Sequence, residues 1–295
     1  MKVFVTGAAS ALARAVLPAL CAHAHVSNVR GLDARAVRYT HSKFEAIRGA
    51  VGDDAVAGQL RGFDALVHLA FSTPRPDRDA AALFDLNVRA AHKLFHAARA
   101  AGMKRLVHVS TAAVYGAAIH ANEQAALKPL PGFTYAEHHA HLEQLLSIEF
   151  PECARLRPHI VLGPHAHSLL KLLLRQPFHL KLPEPQPLFQ CVHEADVAQA
   201  IVICLERDAR GAYNLAADES FSLRDALRAR HRVSVGMQLA TARRAVDFGA
   251  RLAGRTSESA WLDALSQTLL VNCRRAIVEL GWQRRYDGRE TLLAT

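Results

Sequence analysis

The sequence is poor in the features that would place a protein outside the cell or within a membrane. Its five cysteines, Cys21, Cys153, Cys191, Cys204 and Cys273, are odd in number and include no CxxC pair, so neither a disulfide framework nor a zinc knuckle is expected, and a reducing cytoplasm fits best. No apolar run is long enough to span a bilayer. The longest candidate, around residues 169–174, is interrupted by Lys171 and followed by Arg175. The first residues superficially resemble a secretory leader, but Thr6-Gly7 breaks the apolar stretch where a leader's core is continuous. Positive charge is in excess by nine but is not concentrated: residues 1–150 carry 16 basic and 12 acidic side chains, residues 151–295 carry 20 and 15. Without a basic block interleaved with aromatics, nucleic acid is not an expected partner, and an evenly basic surface suits small anionic molecules instead. There is no GxSxG elbow, which sets aside a Ser-His-Asp hydrolase, and there is no internal repeat.

What is present is an alternation of short β-branched runs with longer helical stretches, the rhythm of a parallel sheet covered on both faces. Strands are expected at residues 2–5, 26–32, 65–69, 105–109, 153–156 and 212–216, and helices at 9–22, 80–101, 135–148 and 192–207. Gly102 stops the second of these helices. Residues 176–190 hold Pro177, Pro183, Pro185 and Pro187, so they read as loop or extended edge, and a second lobe begins near here. Residues 223–280 read as mostly helical. The arginine-bearing stripe at 239–252 is expected to be the packed face of that lobe rather than a membrane-surface helix.

The first strand runs into Thr6-Gly7-Ala8-Ala9-Ser10-Ala11-Leu12-Ala13, a turn opening a helix, which is where a dinucleotide pyrophosphate meets unpaired N–H groups and a positive dipole end. Gly7 keeps the first glycine of the usual three. Ser10 replaces the second, bringing a Cβ that crowds a phosphate or a hydroxyl that bonds it, and Ala13 is a small third. Asp33, at the end of the second strand, is placed for the adenosine ribose hydroxyls, which favours NAD over NADP, with Arg30 and Arg35 leaving NADP possible. The expected fold is therefore a doubly wound Rossmann sheet at residues 1–164, also receiving 191–216, interleaved with a smaller, mostly helical substrate lobe at 165–295.

Ala65-Leu66-Val67-His68-Leu69-Ala70, Asn87-Val88, His108-Val109-Ser110-Thr111-Ala112-Ala113-Val114-Tyr115-Gly116, Tyr135, Leu156-Arg157-Pro158, Gly163-Pro164, Val192 to Ala198, Tyr213-Asn214-Leu215 and Leu280-Gly281-Trp282 follow one another in an order that resembles the NAD-dependent epimerase/dehydratase group of extended short-chain dehydrogenases. The resemblance covers nearly the whole chain. It implies an oxidoreductase, epimerase or dehydratase working on a hydroxyl or keto group of a small molecule, with nucleotide sugars in the substrate class. It also implies a homodimer through the helices at 80–101 and 135–148. By the same resemblance Thr111 holds the substrate oxygen and Tyr135 is the acid/base. The cofactor side is implied to be Gly7, Ser10, Ala11, Leu12, Asp33, Asp53, Leu69, Ala70 and Pro158, with His139 at the ribose contact.

The third member of the family's catalytic set is a lysine four residues after the tyrosine, and here that position is His139. Lysine there lowers the tyrosine pKa and holds the nicotinamide ribose. Histidine lies on the same helix face, one turn on, but is shorter and largely neutral near pH 7.5. Three readings stay open: a degraded site, a variant in which His139 relays the proton, and a different chemistry. The alternative function is a catalytically impaired nucleotide-binding sensor or scaffold. His138 and His141 have i, i+3 spacing but no matching ligand set, so no metal site is expected.

Overall fold

In the first strand Val3 and Val5 face one core and Phe4 the other, and the same alternation recurs along the sheet, with Ala65, Val67 and Val107 on the first side and Leu66 and Leu106 on the second. Strands buried on both faces need helices on both, and the chain supplies them. The computed structural model describes residues 1–73, 79–176, 178–229, 235–252 and 259–294. Seven parallel strands lie in the order Gly211–Leu215, Ala154–Pro158, Arg105–Val109, Ala65–His68, Lys2–Thr6, Asn28–Asp33, Phe44–Arg48. The strand order reverses on either side of Lys2–Thr6, so a crevice opens at the carboxyl ends of Lys2–Thr6 and Ala65–His68. One face is covered by the helices Ala13–Ala22 and Glu194–Arg207, the other by Ala91–Ala100 and Thr134–Glu149.

Several expected boundaries move. The first helix starts at Ala13 rather than residue 9, because residues 9–12 form the turn, and it carries Pro18 within it. The helix expected at 80–101 is Ala80–Phe84, a π-helical stretch Asp85–Ala90, and Ala91–Ala100. Cys191–His193 is a short strand beside Ile160–Leu162, and only then does the Glu194–Arg207 helix begin.

The lobe has a core of its own, built around Leu162, Leu170, Leu174, Phe189, Phe221 and Leu262. The proline-rich stretch includes a strand, Phe178–Lys181, paired with Val235–Gln238, while Pro177 and parts of the helical reading at 223–280 (230–234 and 253–258) lie outside the described residues. The helix Leu239–Leu252 is not the packed face that its stripe suggests: Phe248 and Leu252 are exposed, and of its residues Ala242 alone is buried. The end of the chain returns to the large domain. Trp282 is fully buried against the sheet's helices, its indole N–H donating to the Asp196 carbonyl at 3.0 Å. Among the described residues no helix is long and apolar enough to cross a membrane.

Candidate functional site

Gly7 ends the first strand at φ +74°, and a Cβ there would lie 2.5 Å from the Ala70 nitrogen, so the neighbouring strand end closes the position to any other residue. Its N–H and that of Ala8 both donate to the Leu32 carbonyl. Ser10 accepts from the Ala13 N–H at 3.2 Å across the turn that leads into the first helix, so its hydroxyl is engaged in building the turn. Asp33 accepts from Ala9 N–H through Oδ2 (2.9 Å) and from Arg35 N–H through Oδ1 (2.9 Å), tying the turn to the end of the second strand. A cavity of about 130 Å³ opens here, lined by Gly7, Ser10, Asp33, Leu69, Ala70 and Phe71. Ala11 and Leu12 are not among its lining residues. Asp53 is exposed and does not line the cavity, but its carboxylate accepts at 2.6 Å from the N–H of Ala50, which does.

A second cavity of about 840 Å³ lies between the sheet and the lobe. Thr111, Tyr135 and Pro158 line it together with Phe133, Phe189, Trp261 and Leu262, and with His159, His167 and Arg175 as polar groups. Tyr135 sits in the first turn of the Thr134–Glu149 helix, its ring 5.0 Å from that of Trp261. Burial pushes its phenol up to about 12, and a hydrogen bond with Thr111 acts in the opposite direction.

His139 lines neither cavity; it is buried between them. Phe71 lies flat on its imidazole, with centroids 3.5 Å apart and planes 10° apart, and meets the Tyr135 ring edge-on at 5.5 Å. Behind His139 stand His108, at 5.5 Å, and then His68, again at 5.5 Å. Neither nitrogen of His139 or of His108 has a hydrogen-bond partner. Burial holds His139 well below the ordinary imidazole value, with His108, His68 and His138 adding to the shift, and burial brings His108 down to about 3. His139 is therefore neutral and lends the tyrosine no positive charge. The histidine fills the lysine's place without replacing its electrostatics.

The helix carrying Tyr135 and His139 is fixed by a buried network. Arg157 donates to both Glu143 carboxylate oxygens (Nε–Oε1 3.0 Å, Nη2–Oε2 2.6 Å) and to the Tyr115 hydroxyl at 2.6 Å, and Tyr115 donates to Asn214 at 2.8 Å. Asn87 joins that helix to the strand end, bonding Ser72 N–H and carbonyl and His138 Nδ1. Sequence reasoning passed over Phe71 and Trp261. Phe71 directly follows Leu69-Ala70 and its bulk beside a ribose position was a readable signal; Trp261 lies in a lobe with no motif to mark it.

Residues 3–216 match the family model described as the NAD dependent epimerase/dehydratase family. The chain is 30% identical over 114 residues to an L-arabinose 1-dehydrogenase (NAD(P)(+)) of Haloferax volcanii, an alignment covering 37% of this chain and 41% of that relative, so the chain spans about two fifths of the curated relative's length. Among solved structures, MoeE5 in complex with UDP-glucuronic acid and NAD superposes with a TM-score of 0.77 at 23% identity, covering 100% of this chain and 97% of that one. A UDP-glucuronic acid 4-epimerase from Bacillus cereus in complex with NAD gives 0.77 at 19% identity, covering 100% and 94%. A dTDP-glucose 4,6-dehydratase double mutant from Streptomyces venezuelae with NAD bound gives 0.78 at 20%, covering 100% and 95%. At these identities the structures establish the fold.

Proposed function

Because the chain belongs to the NAD dependent epimerase/dehydratase family, we propose that it binds NAD across the crevice and acts on a hydroxyl or keto group of a small molecule held in the larger cavity. The observation that carries this reading is the convergence of Thr111 and Tyr135 on the wall of that cavity, directly beyond the Gly7–Asp33 turn. The residues fit the adenosine half of the cofactor: Gly7, Ser10, Leu69 and Ala70 would face the pyrophosphate, and Asp33 keeps lone pairs for the ribose. The nicotinamide half must reach the His139 side of the crevice, and there Phe71 has to turn aside. When bound, the cofactor accepts or supplies hydride at the carbon bearing the reacting oxygen. Thr111 orients that oxygen by hydrogen bonding, and Tyr135 takes or gives its proton. Apolar Phe133, Trp261 and Leu262 exclude water from the reacting end. Nucleotide sugars, the ligand class bound by MoeE5 in its complexes with UDP-glucuronic acid and UDP-glucose, are the first substrate class to screen.

The chain works as a homodimer through the Ala80–Ala100 region and the Thr134–Glu149 helix, in a reducing cytoplasm; five buried, unpaired cysteines support that compartment. The second reading, a nucleotide-binding protein without turnover, is favoured by one observation, the uncharged His139 under Phe71. Calorimetric titration with NAD, NADH, NADP and NADPH tests the cofactor reading: saturable micromolar binding, tighter for NAD, is expected. Binding without turnover of any sugar nucleotide would favour the second reading, and no binding of any of the four would remove both.

A further inference from the structure

Away from the crevice, two helices that pack on the same face of the sheet bring together three side chains that the proposed reaction does not use. His92 and His96 are one turn apart on Ala91–Ala100 and so share a face, and Glu149 closes the Thr134–Glu149 helix opposite them. His92 Nε2 lies 3.1 Å from Glu149 Oε1, and His96 Nε2 lies 3.0 Å from Glu149 Oε2. The three residues' candidate ligand atoms all lie within 4.8 Å of one another. We propose that His92, His96 and Glu149 form a binding site for a zinc-class divalent ion.

Two donor pairs, at 3.1 and 3.0 Å, are close to the spacing of a coordination shell, and all the donors lie within 4.8 Å of one another. Donors bound at about 2.0–2.1 Å around a tetrahedral ion sit roughly 3.3 Å from each other, so the ion enters with small side-chain shifts, and three protein ligands leave the fourth position to water. The donor set, two imidazoles and a carboxylate, is one that zinc takes and magnesium does not. His92 Nε2 is buried and faces the Glu149 carboxylate at 3.1 Å, so donors from both helices already converge on the space an ion would take. The rings are already held: His92 and His96 meet edge to face at 4.6 Å, and both abut Phe150. Arg99, which donates to the Glu149 backbone carbonyl, is also paired with Glu152 at 2.7 Å. All five cysteines are buried, so these residues face no competition from a thiolate.

The site would clamp the C-terminal end of the helix whose other end carries Tyr135, about 20 Å away along its axis. It depends on neither the cofactor nor the substrate reading. The test uses the untagged protein, stripped with a chelator that is then removed, titrated calorimetrically with zinc chloride and with magnesium chloride. One zinc per chain, saturating, and no magnesium heat are expected. His96→Ala and Glu149→Gln, both partly exposed positions, should each weaken zinc at least tenfold while melting at the wild-type temperature in the absence of metal. His141→Ala, at an exposed histidine elsewhere on the same helix, should leave zinc binding unchanged, and zinc should raise the melting temperature of the wild type but not of His96→Ala. No saturable zinc binding, or equal zinc affinity in the wild type, His96→Ala and Glu149→Gln, overturns the proposal.

Discussion

Removing the Phe71 ring should tighten NAD. In the free protein this ring covers His139 face to face and touches Tyr135 edge-on, so a dinucleotide can reach the His139 side only by breaking both contacts. Aromatic pairs of this kind are worth about 0.5–1.5 kcal/mol each, so the cofactor gives up about 1–3 kcal/mol on entry. By the relation of affinity to free energy this corresponds to roughly a 5- to 150-fold lower Kd for Phe71→Ala. Phe71 is only partly buried, so the variant should remain folded, which its melting curve checks. The assay is calorimetric titration of both proteins with NAD and with ADP. ADP ends before the nicotinamide ribose and has no need to move the ring, so its affinity should change far less. A gain for NAD no larger than the gain for ADP, or a loss for NAD, would refute the argument that Phe71 stands in the cofactor's path.

The same geometry and the buried network give four more expectations. Tyr135→Phe should lower turnover at least about 100-fold, the scale of a lost general acid/base, with substrate binding retained; wild-type rates would sink the assignment. Adding His139→Lys to Phe71→Ala should raise turnover about tenfold or more and move the rise of its rate with pH to lower pH, since an ammonium beside Tyr135 pulls back a phenol that burial has pushed up to about 12; an unchanged rate would instead support the reading without turnover. Glu143→Ala, which strands Arg157 in the interior, should cost about 3–5 kcal/mol in urea unfolding, whereas a loss under about 1 kcal/mol would mean that water reaches the pair. Stability should also fall as the pH drops below 6.5. Burial, with Arg155 adding to it, brings His108 down to about 3, and burial brings His159 to about 4 against its bond to the Leu269 carbonyl, so the unfolded chain takes up protons first. Each of these two histidines removes about 2 kcal/mol by pH 5, and a urea midpoint that is flat between pH 7 and 5 would contradict their burial in the neutral form.

The large domain was legible because its signals are local. Arg105–Val109 falls where the β-branched run places it, and the Gly7 turn and Asp33 meet as their spacing requires. The lobe was legible only as a change of texture. Its strand pairs, Phe178–Lys181 with Val235–Gln238 and Ala118–Ala121 with Leu269–Val271, join segments more than 50 residues apart, and no local period announces a partner at that distance. At the site, Thr111 and Tyr135 share one wall of the larger cavity, and His139 lies one turn along the helix from Tyr135. What the motif could not convey is that His139 is sealed beneath Phe71, since a stack between residues 68 positions apart depends on how a strand end and a helix meet. The surface stripe at Leu239–Leu252 misled for the opposite reason: an amphipathic pattern says that one face is apolar, not that anything covers it.

The last strand of the seven, Gly211–Leu215, is laid down only after the chain has made its excursion through the lobe's first half, and the core on one side of the sheet is completed later still by Trp282. During synthesis the first six strands leave the ribosome with one side of the growing sheet still open. A nascent chain halted before residue 194 would display Ala154–Pro158 as an unpaired edge and the inner face of Arg105–Val109 without the Glu194–Arg207 helix over it. Folding of this protein is thus timed by its C-terminal third. Shortening the chain from that end removes part of the nucleotide domain's own interior.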